Sequence, residues 1–364
     1  MPFFDCLIQR CAAILAITVF ATAVVSSPLS ADDKTNKPAE KKVEVKKAEQ
    51  KKPAAKTPPK KKAADKKAAD KKAADKKAAD KKAAADKKAA QKKKADMKKP
   101  EKKKEAPKKA VSAFPDKALE EAVRREVFEK RYNKQPITKD DVANISRVVG
   151  TGLKIKNLEG LQHCRALMLI DLRDNEIADL KPIAQLKRLQ SVTLAGNKIK
   201  DIKPLADLVA MQLLDLSRNE VSDLSALKKM TNLRTLYVAE NQLQNIAPIA
   251  DLSKIWSLDV SGNQLKDLSA VKKLGWLTSL DIVGNEIDSL EPLSELRDLD
   301  MLIMSKNKVA DLQPLVDMCR KDAEDDRRFA PYLEVYLGGN PLEKKKLASQ
   351  TKELKSFGVD VHNK

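Results

Sequence analysis

LQSVTLAGNKIKDIKPLADL, residues 189–208, carries the pattern from which the fold can be read. The same frame returns as LTSLDIVGNEIDSLEPLSEL at 277–296, and its asparagine recurs at Asn175, Asn197, Asn219, Asn241, Asn263, Asn285 and Asn307, each 22 residues after the last. Apolar residues stand eight, five and three places before each asparagine, and two, five, eight and eleven places after it. In the unit of Asn219 these are Met211, Leu214, Leu216, Val221, Leu224, Leu227 and Met230. The apolar alternation before the asparagine has period two and predicts one short strand per unit. A single unit cannot bury its own apolar face, so successive units must stack, with parallel strands about 4.8 Å apart. The asparagine sits where the chain leaves the strand. Its amide can both donate and accept, so it can satisfy backbone groups of its own turn and of the neighbouring unit, forming a ladder along the stack. Asp179, Asp201, Asp223, Asp267 and Asp311 recur four places after the asparagine and are expected to cap the next turn. Pro182, Pro204, Pro248, Pro292 and Pro314 then open a segment too short for a full helix, which predicts 3-10 or irregular turns on that side.

The consensus L-x-x-L-x-L-x-x-N-x-[IVL]-x-x-[IL] is that of a leucine-rich repeat. The expected fold class is a leucine-rich-repeat solenoid, with parallel β-strands on the concave face and 3-10 or irregular turns on the convex face, over residues 145–342. The array has edges. One period before Asn175 stands Leu153, yet Ile155, Leu158, Leu161 and Cys164 keep the inner positions, a degenerate first unit. At the far end Asn340 fits the frame in LEVYLGGNPL, but 33 residues after Asn307. The inserted residues fall in the charged run CRKDAEDDRRFAP (319–331), expected as an extended convex helix. Solenoids need polar-faced caps. FPDKALEEAVRREVFEKRY (114–132) and ITKDDVANI (137–145) predict a helical N-cap over 112–144, the second helix opening on a box of Thr138 and Asp141. Residues 343–364 are expected to close the other end.

The charge is unevenly placed. The chain of 364 residues has a formal charge of +20, but residues 32–113 alone hold 32 lysines, no arginine and 13 acidic residues, a net +19. Residues 114–364 hold 39 basic and 38 acidic residues and are close to neutral. Segment 32–111 is built from words such as KKAADKKAADKKAADKKAAD (61–80), with little apolar bulk to offset chain entropy, and reads as a disordered or partly helical linker. A lysine-only, aromatic-free segment can neutralise phosphates but cannot stack on bases or read a sequence. Sequence-specific nucleic-acid binding is therefore not expected. Weak contact of residues 34–109 with a polyanion or an anionic membrane surface is compatible with the composition. In residues 1–31 an apolar run from Cys11 to Val25 follows Arg10 and leads into Leu29-Ser30-Ala31. This is the pattern of a secretory signal peptide, with an uncleaved anchor as the alternative, and it places the protein in the periplasm, the cell envelope or outside the cell.

Catalytic chemistry has little to stand on. There are two histidines, His163 and His362, far apart in the frame, and no Gly-rich phosphate loop or paired-cysteine motif. Cys164 takes an inner apolar position and Cys319 follows the last inner methionine. About seven strand spacings separate them, far beyond disulfide reach, so both are expected as buried free thiols. No catalytic residue, metal or cofactor is implied.

Four and two places before each asparagine, side chains leave the strand on the side away from the core. These columns, with the position six before, give the candidate partner-binding set: Asp171, Arg173, Asp215, Tyr237, Asp259, Asp281, Val283, Met301, Ile303 and Tyr336. The face is acidic in its middle and apolar near its C-terminal end. Asp259 and Asp281 fall on adjacent strands, about 5 Å apart, an arrangement unfavourable to like charges. Trp256 and Trp276 fall on the rim where adjacent strands begin, either as an exposed aromatic patch or as a lid over the core edge.

With the 22-residue unit, the opening FPD-x-x-LEEAVR, the second segment IT-x-x-D and the closing GNPL, residues 112–364 resemble bacterial internalin-type leucine-rich-repeat proteins. The resemblance implies a protein-binding concave face. Residues 343–364 lack an LPxTG-like sorting signal, so covalent wall attachment is not expected. The sequence thus points to an exported, non-enzymatic module that recognises a protein partner on its concave face. Two other readings stand beside it: a polycationic adhesin working through the lysine-rich segment, and a regulatory subunit of an envelope enzyme.

Overall fold

The computed structural model describes residues 111–325 and 327–363. The signal peptide and nearly all of the lysine-rich linker therefore lie outside the described residues. No described helix is long and apolar enough to cross a membrane.

Ten parallel strands form one sheet in strict chain order. They are β1 Arg147–Val149, β2 Leu169–Asp171, β3 Ser191–Thr193, β4 Leu213–Asp215, β5 Thr235–Tyr237, β6 Ser257–Asp259, β7 Ser279–Asp281, β8 Met301–Ile303, β9 Glu334–Tyr336 and β10 Asp360–His362. From β1 to β8 the register advances by one 22-residue period per strand, as in Asp259 opposite Asp281. The middle residue of each strand points into the core. Ile170, Val192, Leu214, Leu236, Leu258, Leu280, Leu302 and Val335 are all 0–1% exposed. Each such burial is worth about 1.5–3 kcal/mol, and the stack shares it along the whole array.

The asparagine ladder has the predicted form in full. In the unit of Asn241, Nδ2 donates to the carbonyls of Val238 at 3.1 Å and Ala239 at 3.0 Å in its own turn, and to Leu216 of the preceding unit at 2.9 Å. Its Oδ1 accepts from Val221 N–H at 2.8 Å. Asn175 through Asn307 repeat the pattern and are buried; Asn340, at the end, is half-buried and still bonds Met304 and Leu337. The recurring acids cap as expected: Asp179, Asp201, Asp223, Asp267 and Asp311 each accept from the backbone N–H two residues on, at 2.8–2.9 Å. Asn245 and Ser289 fill the same place where the acid is missing. The prolines open short 3-10 turns, such as Lys181–Ile183 and Lys203–Leu205.

One regularity was hidden in the sequence. The residue just before each asparagine has positive φ, whether glycine, as at Gly196, or not, as at Asp174, Arg218, Glu240 and Lys306. Arg218 Nη2 reaches across Gly196 to Asp174 Oδ1 at 2.9 Å, spanning two units. A Cβ on Gly196 would stand 2.4 Å from that carboxylate oxygen. Gly196→Ala is therefore expected to break this bridge and strain the turn, lowering the urea-unfolding free energy by about 1–2 kcal/mol. Glu240→Gly, at a position with no such bridge, should change it by less than about 1 kcal/mol.

The caps differ from the sequence expectation in three places. Helix α1, Lys117–Arg124, forms as predicted. Asp116 caps it through Ala118 and Leu119 N–H and also takes Lys156 and Asn157 N–H of the first repeat unit, tying cap to array. The second N-cap helix does not form: residues 139–144 are turns. Thr138 N–H and Oγ1 both donate to Asp141, which leaves Thr138 without its capping role, and β1 begins too soon afterwards for a helix to propagate. The inserted run is helical, but α2 spans Gln313–Glu324, starting at the proline turn rather than within 319–331. Buried Asp322 then accepts from Arg328, Phe329 and Ala330 N–H and turns the chain back toward β9. At the far end, α3 (Lys344–Ser356) packs against α2, and β10 adds a strand inside what the sequence suggested was only a cap.

Candidate functional site: the concave face

The sheet brings the candidate residues into line. Successive partners across the strands are Asp171, Thr193, Asp215, Tyr237, Asp259, Asp281, Ile303, Tyr336 and His362. All of them are half-buried, because neighbours one strand away shade each side chain while its tip stays open.

At the N-terminal end charge is compensated. Arg173 Nε and Nη2 grip Asp171 Oδ1 and Oδ2 at 2.9 and 2.8 Å, which holds the guanidinium above its ordinary value. In the middle it is not. Asp215, Asp259 and Asp281 each accept a backbone N–H two residues on, from Ser217, Ser261 and Val283 at 2.9–3.0 Å. Burial pushes all three carboxyls up. Asp259 has relief from the Ser261 hydroxyl at 2.7 Å. Valine at 283 gives Asp281 no hydroxyl, and the Asp259 charge opposite adds to burial, so its carboxyl is pushed up to about 7. The charged groups acting on this pair are acidic: Glu240 on Asp259, and Asp259 on Asp281. Arg173 acts on Asp215.

Tyr237 stands between Asp215 and Asp259, its hydroxyl 3.3 Å from Ser257 Oγ. Beyond Asp281 the face becomes apolar through Val283, Met301 and Ile303. It ends on Tyr336, whose hydroxyl donates to Glu334 at 3.0 Å and whose ring stacks on His362 with centroids 4.4 Å apart. His362 escaped sequence reading because no asparagine marks its unit; the alternation in GVDVH was the available signal. Trp256 and Trp276 are exposed on the rim, at 39% and 59%. Trp256 is held by its indole N–H to Thr235 Oγ1 at 3.1 Å, and neither ring closes over the core.

Among the described residues no group of three or more His, Cys, Asp or Glu could hold a metal ion. Cys164 and Cys319 are buried free thiols, pushed up to about 12 by burial, and do not face this surface.

The pattern described as leucine-rich repeats (two copies) matches residues 209–254. No curated protein matches the chain. Among solved structures, internalin C2 from Listeria monocytogenes is 31% identical and superposes with a TM-score of 0.55, over 57% of this chain and 91% of that one. The ectodomain of an Arabidopsis thaliana leucine-rich-repeat receptor kinase, solved in complex with Casparian strip integrity factor 2, is 20% identical with a TM-score of 0.50, over 62% of this chain and 28% of that one. That second likeness is one of fold.

Proposed function

The chain belongs to the internalin-type leucine-rich-repeat proteins, and from that premise we propose that it is an exported, non-enzymatic module that recognises a protein partner on its concave face. The observation that carries the reading is the register-paired Asp259 and Asp281 beside the apolar Val283, Met301 and Ile303. Half-buried carboxylates facing one another lower stability, and an acidic centre flanked by apolar surface is the composition of a binding patch rather than of a solvated sheet. Export rests on the signal-peptide pattern in residues 1–31. The net +19 of residues 32–113 favours a second reading, an adhesin that holds anionic polymers by charge alone.

One experiment separates the two. The full chain and its Tyr237→Ala/Asp259→Ala/Asp281→Ala/Ile303→Ala variant are used to capture partners by cross-linking, at low and high salt. A protein captured by the wild type in both conditions, and lost from the variant without loss of thermal stability, is the expected result. Equal capture by both, abolished by salt, would assign the binding to the lysine-rich segment instead.

A further inference from the structure

The concave face and the basic segment of this chain have matching needs. Asp215, Asp259 and Asp281 lie along one line of the sheet, and the charges acting on the last two are acidic. Residues 34–109 hold 32 lysines with no arginine and no aromatic residue. A lysine reaching this line would bring a long apolar stem as well as a charge, suited to a carboxylate beside Ile303 and Val283. Valence sets how they meet. With 32 lysines against three such carboxylates per face, one segment has many more cations than one face can pair. A multivalent chain of this kind links several faces.

We propose that the acidic middle of the concave face docks the lysine-rich segment, residues 34–109, of a second copy of this chain, so that copies assemble through charge. The proposal rests on the concave face being the binding surface. It names an occupant that an external partner must displace, so assembly and partner capture compete for the same carboxylates.

The test is light scattering on the full chain over a range of concentrations, at about 50 mM and about 500 mM salt. The expected result at low salt is a weight-average mass that rises at least roughly twofold with concentration and returns to one chain at high salt. Asp215→Asn/Asp259→Asn/Asp281→Asn, which keeps side-chain shape, should hold the full chain at the mass of one copy at low salt. Asp207→Asn/Asp251→Asn, exposed carboxylates outside this line, should leave the assembly intact. A single-chain mass under every condition overturns the proposal, as does an assembly that persists in the triple variant while its melting temperature shows it folded. Failure here is distinct from failure of the partner reading, which is scored by a captured protein and by Tyr237 and Ile303. Assembly can be absent while capture persists.

Discussion

Asn241→Leu is expected to lower the unfolding free energy by about 3–5 kcal/mol, the largest loss from any single substitution discussed for this protein. The side chain is buried and serves four backbone groups: the carbonyls of Leu216, Val238 and Ala239 and the N–H of Val221. Leucine fills the space but leaves these groups desolvated and unpaired, and each such group costs about 1–3 kcal/mol less whatever water recovers. Asn241→Asp should be nearly as damaging, since a carboxylate keeps the acceptor, loses both donors and buries a charge. The same change at Asn340 should cost about half as much or less, because that residue is half-buried and closes the array. Asn241 also lies mid-array. Because stability in a solenoid is a sum of units and their interfaces, breaking a central interface uncouples the two halves. Urea unfolding should then show a lower m-value or two transitions. An Asn241→Leu protein with an unchanged midpoint and slope would show that the ladder does not hold the units together.

How far the sequence reveals the molecule depends on whether a feature is written at the repeat's own period. The ladder, the strand cores and the Asp turn caps are, because each is a local contact reproduced every 22 residues; all were legible. Features that break the period were not. β10 follows an eleven-residue insertion and has no asparagine after it. The turns at 139–144 carry a capping-box signature that the nearby strand cuts short. The left-handed position before each asparagine was masked because Asp174, Arg218, Glu240 and Lys306 occupy it alongside glycines. On the concave face the sequence located the columns and the opposed Asp259 and Asp281. It did not show that the difference between Ser261 and Val283 makes one carboxylate far less comfortable than the other. That contrast needs the bond from the serine hydroxyl to Asp259 to be seen.

Asp281→Asn is expected to stabilise the protein at alkaline pH by roughly 1–3 kcal/mol and to do little near pH 4. The sign follows from the direction of the shift. An unfolded aspartate titrates near about 3.9, whereas burial and the Asp259 charge hold the folded Asp281 carboxyl at about 7. Between those values the folded state binds the extra proton, so the wild type is favoured at low pH and loses stability as pH rises through the folded value. Asparagine stays neutral, donates where the protonated acid would, and removes that loss. A full three-unit shift corresponds to about 4 kcal/mol; the smaller figure allows for the half-exposed side chain and for solvent screening. Asp215, Glu240 and Asp259 are the other acids bearing on this line, and Asp259 is the one opposite. Asp259→Asn should therefore capture much of the same gain, and the double variant should gain less than the sum, since either change removes the shared repulsion. Urea unfolding of the four proteins at pH 5, 7 and 9 reads this directly. Parallel pH profiles for wild type and Asp281→Asn would mean that the two carboxylates do not repel in the folded state. The premise that a cationic partner relieves this face would then fall with them.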